Sequence, residues 1–146
     1  MRVLYDSSSL VRVLMRRGEI LKFKSLLSGG IVHVTSPYIL AEVERVLVDS
    51  FGRTRQKAKV ATRLVRNLSV MVNPIEFERV SPDPNDDPIV TAAVEGKADF
   101  LVSLDQKGLL VLGKYKDVTM VRDLNHIIGL SRGFDNVEDF LADLKK

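Results

Sequence analysis

The chain has 146 residues, of which 45% are hydrophobic, a net charge of +3 and no cysteine. Length and hydrophobic content predict one globular domain with a sizeable core, and the missing cysteines exclude disulfide bonds, thiolate zinc sites and a cysteine nucleophile. Because no apolar run reaches the roughly 18 residues of a membrane helix and no signal-peptide pattern opens the chain, we expect a cytoplasmic protein without membrane attachment.

Short apolar runs alternate with helical patterns along the first 130 residues. The runs that predict strands cover residues 3–5, 31–35, 69–73, 99–103 and 118–121. Helices are predicted over about 8–17, 19–27, 37–50, 54–67 and 86–95, with a short helix from Leu124. Strands that alternate with helices indicate a parallel sheet covered on both faces. The predicted fold is a three-layer α/β/α sandwich around a central parallel sheet of about five strands.

Local signals predict where several of these elements begin and end. Ser36 followed by Pro37 is typical of a helix N-cap with proline at the first helical position. Gly29 and Gly30 are expected to stop the second helix. The segment 131–146, which is amphipathic over 137–144, is predicted to be a helical tail that caps the fold or mediates self-association. The prediction is therefore a single domain over residues 1–146, with its core in 1–130.

Four acidic residues stand at chemically informative places in this pattern. Asp6 and Asp105 end predicted strands, Glu42 lies on a predicted helix, and Asp87 opens the helix that follows a proline-rich loop. Because the carboxyl ends of parallel strands share one edge, where ligands bind, Asp6 and Asp105 are expected at the same rim. Carboxylates gathered there stay ionised only with positive charge between them, and a divalent metal ion is the obvious candidate.

Each of these carboxylates also has a purely structural explanation. Asp6, Asp87 and Asp105 could each serve as the N-cap of the helix that follows. Glu42 and Glu44 lie on opposite sides of the apolar stripe of their helix, so helical periodicity does not choose between them. The joint order strand–Asp, helix–Glu, loop–Asp–helix, strand–Asp is more specific than any single residue.

Two basic patches and two histidines complete the list of candidates. The patches consist of Arg12, Arg16, Arg17, Lys22 and Lys24, and of Arg53, Arg55, Lys57, Lys59, Arg63 and Arg66. Such patches suit a phosphate backbone, although a solvated helix face has the same composition. His33 is predicted to be a satisfied histidine of the core or sheet edge, and its separation from His126 fits no zinc pattern.

The order of the carboxylates resembles the PIN-domain family, the metal-dependent ribonucleases that include VapC-type toxins. The matching stretches are RVLYDSSSLV, SPYILAEVERVL and DPNDDPIVTAAVEGKADFLVSLDQKGLL. The resemblance covers about residues 1–130 and implies an endoribonuclease that hydrolyses single-stranded RNA with Mg²⁺ or Mn²⁺. It assigns both catalysis and metal binding to Asp6, Glu42, Asp87 and Asp105. It also implies a homodimer and, if the protein is a toxin, an antitoxin that occludes the cleft.

The resemblance further gives Ser8 and Ser103 supporting roles beside these carboxylates. Two departures from the family pattern keep an alternative open. Ser7 and Ser8 stand where many members have threonine and asparagine, and no acidic residue directly follows Asp105. The alternative is a catalytically weak or inactive PIN-like module that binds or processes RNA. A phosphoacceptor receiver domain is disfavoured, because it needs an acidic pair after the first strand and a lysine after the fifth, where this chain has Arg122.

Overall fold

A computed structural model describes residues 1–77, 79, 83–104 and 108–122 of the chain. Its strands are β1 (Arg2–Tyr5), β2 (Val32–Thr35), β3 (Ser69–Met71), β4 (Phe100–Val102), β5 (Lys114–Tyr115) and β6 (Val118–Val121). Its helices are α1 (Ser7–Met15), α2 (Arg17–Ser28), α3 (Pro37–Asp49), α4 (Arg55–Leu68), α5 (Asp87–Glu95) and α6 (Leu109–Leu112). A 3-10 turn, Pro84–Asp86, precedes α5. The helix predicted from Leu124 and the tail 131–146 lie outside the described residues.

The strands form one sheet in the order β3-β2-β1-β4-β6-β5. The first five of these pair in parallel, and β5 pairs antiparallel with β6 at one edge. The predicted five-stranded parallel sheet is therefore confirmed, with a two-residue edge strand that the sequence pattern did not reveal. None of the helices in the described ranges combines the length and apolar character of a membrane span.

Helices cover both faces of the sheet, as the alternation of side chains along β2 shows. His33 stacks edge-on against Phe23 of α2, while an ideal Cβ built on Gly96, at the end of α5, would meet the Cγ1 atom of Val34. Successive strand residues point to opposite faces, so α2 and α5 lie on opposite sides. The predicted α/β/α sandwich is thereby confirmed.

The capping residues in the sequence mark where helices α3 and α4 begin, but no residue type marks the break between α1 and α2. Ser36 Oγ accepts a hydrogen bond from Ile39 N at 3.2 Å, so the predicted cap before Pro37 is confirmed. Thr54 caps α4 in the same way through Lys57 N. The first two helices are separated at Arg16, whose backbone is extended, and Arg17 already belongs to α2. The prediction had placed Arg17 in the first helix, because no glycine or proline marks the break before it.

His33 is a fully satisfied core residue, as predicted. It is 1% exposed, and Ser69 Oγ lies 2.6 Å from its Nδ1 while donating a hydrogen bond to the carbonyl of Val65. The Ser69 hydroxyl therefore accepts from Nδ1–H, which leaves Nε2 to accept from Tyr5 N at 3.3 Å. Burial lowers the pKa of His33 from 6.5 to about 3. The imidazole is neutral, and it belongs to the core rather than to a metal site.

Gly96 is a glycine at which a side chain would collide with the sheet. A Cβ there would lie 2.4 Å from Cγ1 of Val34 and 3.0 Å from Cγ2 of Val72, so α5 would have to move off the sheet. We expect Gly96→Ala to lower the free energy of unfolding by about 1–3 kcal/mol, as overpacked cores do.

Urea denaturation measures this change in the free energy of unfolding. Gly18→Ala is the matched control, because Gly18 is exposed in α2 with no atom within 4 Å of an added Cβ. It should be neutral or stabilise by up to about 1 kcal/mol. Equal effects of the two substitutions would contradict the close contact between α5 and the sheet.

Candidate active site

Asp6 lies at the carboxyl end of β1, where its carboxylate accepts three hydrogen bonds. Oδ1 accepts from Ser9 N at 2.9 Å and from Ser8 Oγ at 3.2 Å. Oδ2 accepts from Ser103 Oγ, which follows β4, at 2.7 Å. Asp6 is therefore the N-cap of α1 and is also linked to the neighbouring strand. The explanation of Asp6 as a helix N-cap is correct but incomplete, because capping α1 does not require the hydrogen bond from Ser103.

The hydroxyl group of Ser7 ties Glu42 to the same place. Ser7 Oγ donates to Oε2 of Glu42 at 2.8 Å across the contact between α1 and α3. Glu44 faces elsewhere, since it lines a groove between α3 and α4. The tertiary structure thus selects Glu42 from the two glutamates that helical periodicity left equivalent.

The start of α5 packs against the start of α3, close to Glu42. Tyr38 donates a hydrogen bond from its hydroxyl to the carbonyl of Asn85 at 3.0 Å. Partial burial raises the pKa of Tyr38, and the negative charges of Glu42, Asp86 and Asp83 raise it further. The loop before α5 therefore contributes to an acidic rim around Tyr38 that includes Glu42.

Asp87 is the first residue of α5 and is buried. It lines a hollow with Phe77, Arg79, Pro84 and Pro88. Asp86 rather than Asp87 occupies the N-cap position, and it makes no side-chain capping hydrogen bond. The explanation of Asp87 as a capping residue is therefore wrong, because the helix begins one residue earlier than the proline suggested.

The fourth predicted carboxylate, Asp105, lies outside the described residues. Within the described ranges, no three acidic or imidazole side chains are close enough to form a metal site by themselves. The structure joins Asp6 and Glu42 through the serines of α1 and brings the start of α5 to the side of Glu42. The roles given to the four carboxylates therefore remain predictions.

The serines of this region were only partly identified from the sequence. Ser8 and Ser103 both donate to Asp6, as their predicted supporting roles require. Ser7 was noted only as a departure from the family pattern, although it makes the one hydrogen bond described here between α1 and Glu42. The signal that would have found it is its position directly after Asp6, at the first residue of α1.

Comparison with known proteins identifies the family. The model of the PIN domain matches residues 2–107, which is well over half of the chain. The chain belongs to the PIN-domain family. A search among curated proteins gave no significant match.

The fold of this PIN domain is similar to one chain of VapBC2 from Rickettsia felis, crystallised with a DNA fragment from their promoter. The two share a TM-score of 0.60 and 12% sequence identity, over 85% of this chain and all of the other. At that identity the likeness establishes the fold alone. It agrees with the sheet and helix layers described above.

The oxygen atoms at the candidate site of this PIN domain are of the donor type that a hard divalent cation prefers. Asp6 Oδ2 accepts one hydrogen bond, from Ser103, so acceptor capacity remains on this oxygen. Oε1 of Glu42 has the Arg45 guanidinium at 3.9 Å on a solvent-exposed side. His33, the histidine within the described part of the chain, is already engaged with Ser69 and Tyr5 in the core. An all-oxygen donor set suits Mg²⁺ or Mn²⁺ rather than zinc.

Ser7 offers a test of the link between α1 and Glu42. Ser7→Ala removes the hydroxyl that holds Oε2, so Glu42 should lose its fixed orientation. We expect a roughly 10–100-fold loss of Mn²⁺ affinity, the usual effect of losing a residue that orients a ligand. Isothermal titration calorimetry with Mn²⁺ measures it.

Two further variants complete the Ser7 test. Ser7→Thr keeps the hydroxyl and should restore most of the affinity. Ser50→Ala removes an exposed hydroxyl just beyond α3 and should change nothing. Unaltered Mn²⁺ binding by Ser7→Ala would show that Glu42 needs no such support.

Proposed function

We propose that this PIN domain is a metal-dependent endoribonuclease that hydrolyses phosphodiester bonds of single-stranded RNA. The observation that carries the proposal is the cluster at the carboxyl edge of the sheet. Asp6 is held there by Ser8, Ser9 and Ser103, and Ser7 joins Glu42 to the same segment. Four hydrogen-bond donors fix the orientation of the two carboxylates, although capping α1 requires only the donor from Ser9 N. Such additional support is typical of a functional site that holds its side chains in a defined geometry.

In this proposal Asp6, Glu42, Asp87 and Asp105 hold Mg²⁺ or Mn²⁺. The ion, when bound, activates a water molecule and offsets the negative charge that develops on the phosphate. The role of Asp6 is to present Oδ2 in a fixed direction, while its Oδ1 is occupied by the start of α1. Glu42 either binds the ion or orients the attacking water, and its Oε2 is held by Ser7 in both cases.

The family suggests the substrate and the partners. Single-stranded RNA is the substrate class implied by family membership, and a homodimer is the implied assembly. The VapBC2 structure of similar fold contains two kinds of protein and promoter DNA, which supports the proposal that this domain acts as the toxin of a toxin–antitoxin module. An antitoxin would then inhibit it by covering the cleft at Glu42.

Cleavage of a single-stranded RNA of mixed sequence, with Mn²⁺ or Mg²⁺, tests the proposed activity. The wild-type protein should cleave the RNA, EDTA should stop the cleavage, and Asp105→Asn should reduce it to background. Equal and metal-independent background in both proteins would instead favour a PIN-like module that binds RNA without cutting it.

A further inference from the structure

One face of α4 carries a row of positive charges that the candidate active site does not use. At 100° per residue its members fall within about 80° of arc. We name this row the α4 basic stripe: Arg55, Lys59, Arg63 and Arg66. No acidic residue occurs in α4. Among the described residues none of the four cations forms an ion pair, so their charge is not neutralised within that part of the chain.

The stripe borders a groove of about 350 Å³ between α3 and α4. Lys59, Arg63 and Arg66 line it from α4, and Glu44 is the only carboxylate among those lining residues that the structure describes. The remaining lining side chains are small or aliphatic, without an aromatic ring: Pro37, Leu40, Ala41, Thr62 and Met71. The groove therefore has a net positive charge and lacks the aromatic anchors that mark the centre of a protein–protein interface.

The groove adjoins the candidate active site. Ala41 lines it and also lines the neighbouring hollow, which is formed with Tyr38, Glu42, Arg45 and Asn85. A chain lying along α4 can thus reach Glu42 by passing over the exposed face of α3 at Ala41. Stripe residues four apart are separated by about 6 Å along the helix axis. This regular spacing of cations suits a repeated negative charge such as a phosphodiester backbone.

We propose that the α4 basic stripe and its groove bind the backbone of a single-stranded RNA and lead one of its phosphates to the site at Glu42. The proposal rests on the proposed function for what happens at that site, but binding along α4 does not depend on cleavage. The partner is assigned to RNA rather than to an acidic protein because the groove meets the hollow of Glu42 at Ala41 and, among its described lining residues, has no aromatic anchor.

Fluorescence anisotropy with a labelled single-stranded RNA tests the proposal, in EDTA so that the RNA stays intact. Arg63→Gln/Arg66→Gln should weaken binding about tenfold or more, and it should lower the slope of log K against log salt by about 1.4, since each lost phosphate contact contributes about 0.7.

The matched control is Lys97→Gln/Lys114→Gln, which removes two exposed positive charges from the turn between α5 and β4 and from β5. Strand β5 lies at the sheet edge opposite β3, which contributes Met71 to the groove. The control should keep the wild-type salt slope and nearly the wild-type affinity. Equal losses in the two double variants would overturn the proposal, because binding would then follow net charge alone. Thermal melting by circular dichroism verifies that both are folded.

Three further outcomes separate this proposal from the others. If poly-glutamate of equal charge displaces the RNA as well as unlabelled RNA does, the stripe is a site for acidic polypeptides and the assignment to RNA is wrong. If wild-type protein cleaves RNA while Arg63→Gln/Arg66→Gln binds it normally, the RNA-binding role of the α4 basic stripe is wrong and the proposed nuclease function is retained. If no cleavage occurs but only the stripe variant loses RNA binding, the proposed nuclease function is wrong and the RNA-binding role of the α4 basic stripe is retained.

Discussion

Asp6→Asn is expected to reduce RNA cleavage by at least about a hundredfold. Losing a residue that only supports a metal ligand costs at most about that much in activity, so a larger loss indicates that Asp6 itself binds the metal. Asparagine keeps the oxygen that accepts from Ser9 N, and it caps helices about as well as aspartate does. The start of α1 should therefore survive, and the melting temperature should stay within a few degrees of the wild type. What is lost is the negative charge opposite Ser103, which the proposed metal site requires.

Cleavage assays and thermal melting on the same preparations measure the two effects of Asp6→Asn. Asp117→Asn, an exposed change in the turn between β5 and β6, is the control for loss of one carboxylate and should behave as wild type. Asp6→Ala removes the cap as well and should cost about 0.5–2 kcal/mol of stability. Full activity of Asp6→Asn would mean that Asp6 serves only to start α1.

Acidification is expected to destabilise the protein strongly through His33. Burial lowers the pKa of His33 to about 3 in the folded protein, while the unfolded chain takes up its proton near pH 6.5. The folded pKa is the lower one, so the stabilising contribution is complete above pH 6.5 and is lost as the pH falls from there towards 3. The loss amounts to about 1.4 kcal/mol per pH unit for one proton.

The hydrogen bonds of His33 explain why the folded protein resists this protonation. Nε2 accepts from Tyr5 N, so a proton on Nε2 would face another N–H group in a space walled by Tyr5 and Phe23. Urea unfolding at pH 7, 6, 5 and 4 measures the effect. Protonation of carboxylates also destabilises the protein in acid. The variant His33→Phe separates the contribution of the histidine from theirs, because phenylalanine retains the aromatic contacts.

The His33→Phe variant should be less stable than wild type at pH 7, since Tyr5 N loses its acceptor. Between pH 6 and 4, however, its stability should fall less steeply, by about 1.4 kcal/mol per unit. His126→Gln, which changes the other histidine of the chain, is the control and should follow the wild-type slope. Parallel curves for wild type and His33→Phe would show that His33 is protonated within the fold.

Much of the fold was predictable because its signals are local. The apolar runs predicted all five parallel strands to within two residues, and Ser36 with Pro37 predicted the start of α3. The glycines at 29 and 30 predicted the end of α2. The two-residue β5 was missed because it exists through its pairing with β6 and leaves almost no pattern of its own. The helix break at Arg16 was missed because its backbone is extended although no glycine or proline marks the end of α1.

By itself, then, the sequence determined the order of strands and helices, the family and the carboxylates worth testing, because apolar periodicity, caps and motif order are written in neighbouring residues. Only the tertiary structure showed that Glu42, and not Glu44, lies beside the serine that follows Asp6, since residues on either side of one apolar stripe differ only in what the next helix places opposite them. Only it showed that Ser7, Ser8 and Ser103 hold two carboxylates, because the hydrogen bond from Ser103, just after β4, to Asp6, just after β1, joins residues 97 positions apart. It also revealed that the α4 basic stripe borders a groove that meets the hollow containing Glu42 at Ala41, which depends on how α3 and α4 pack together.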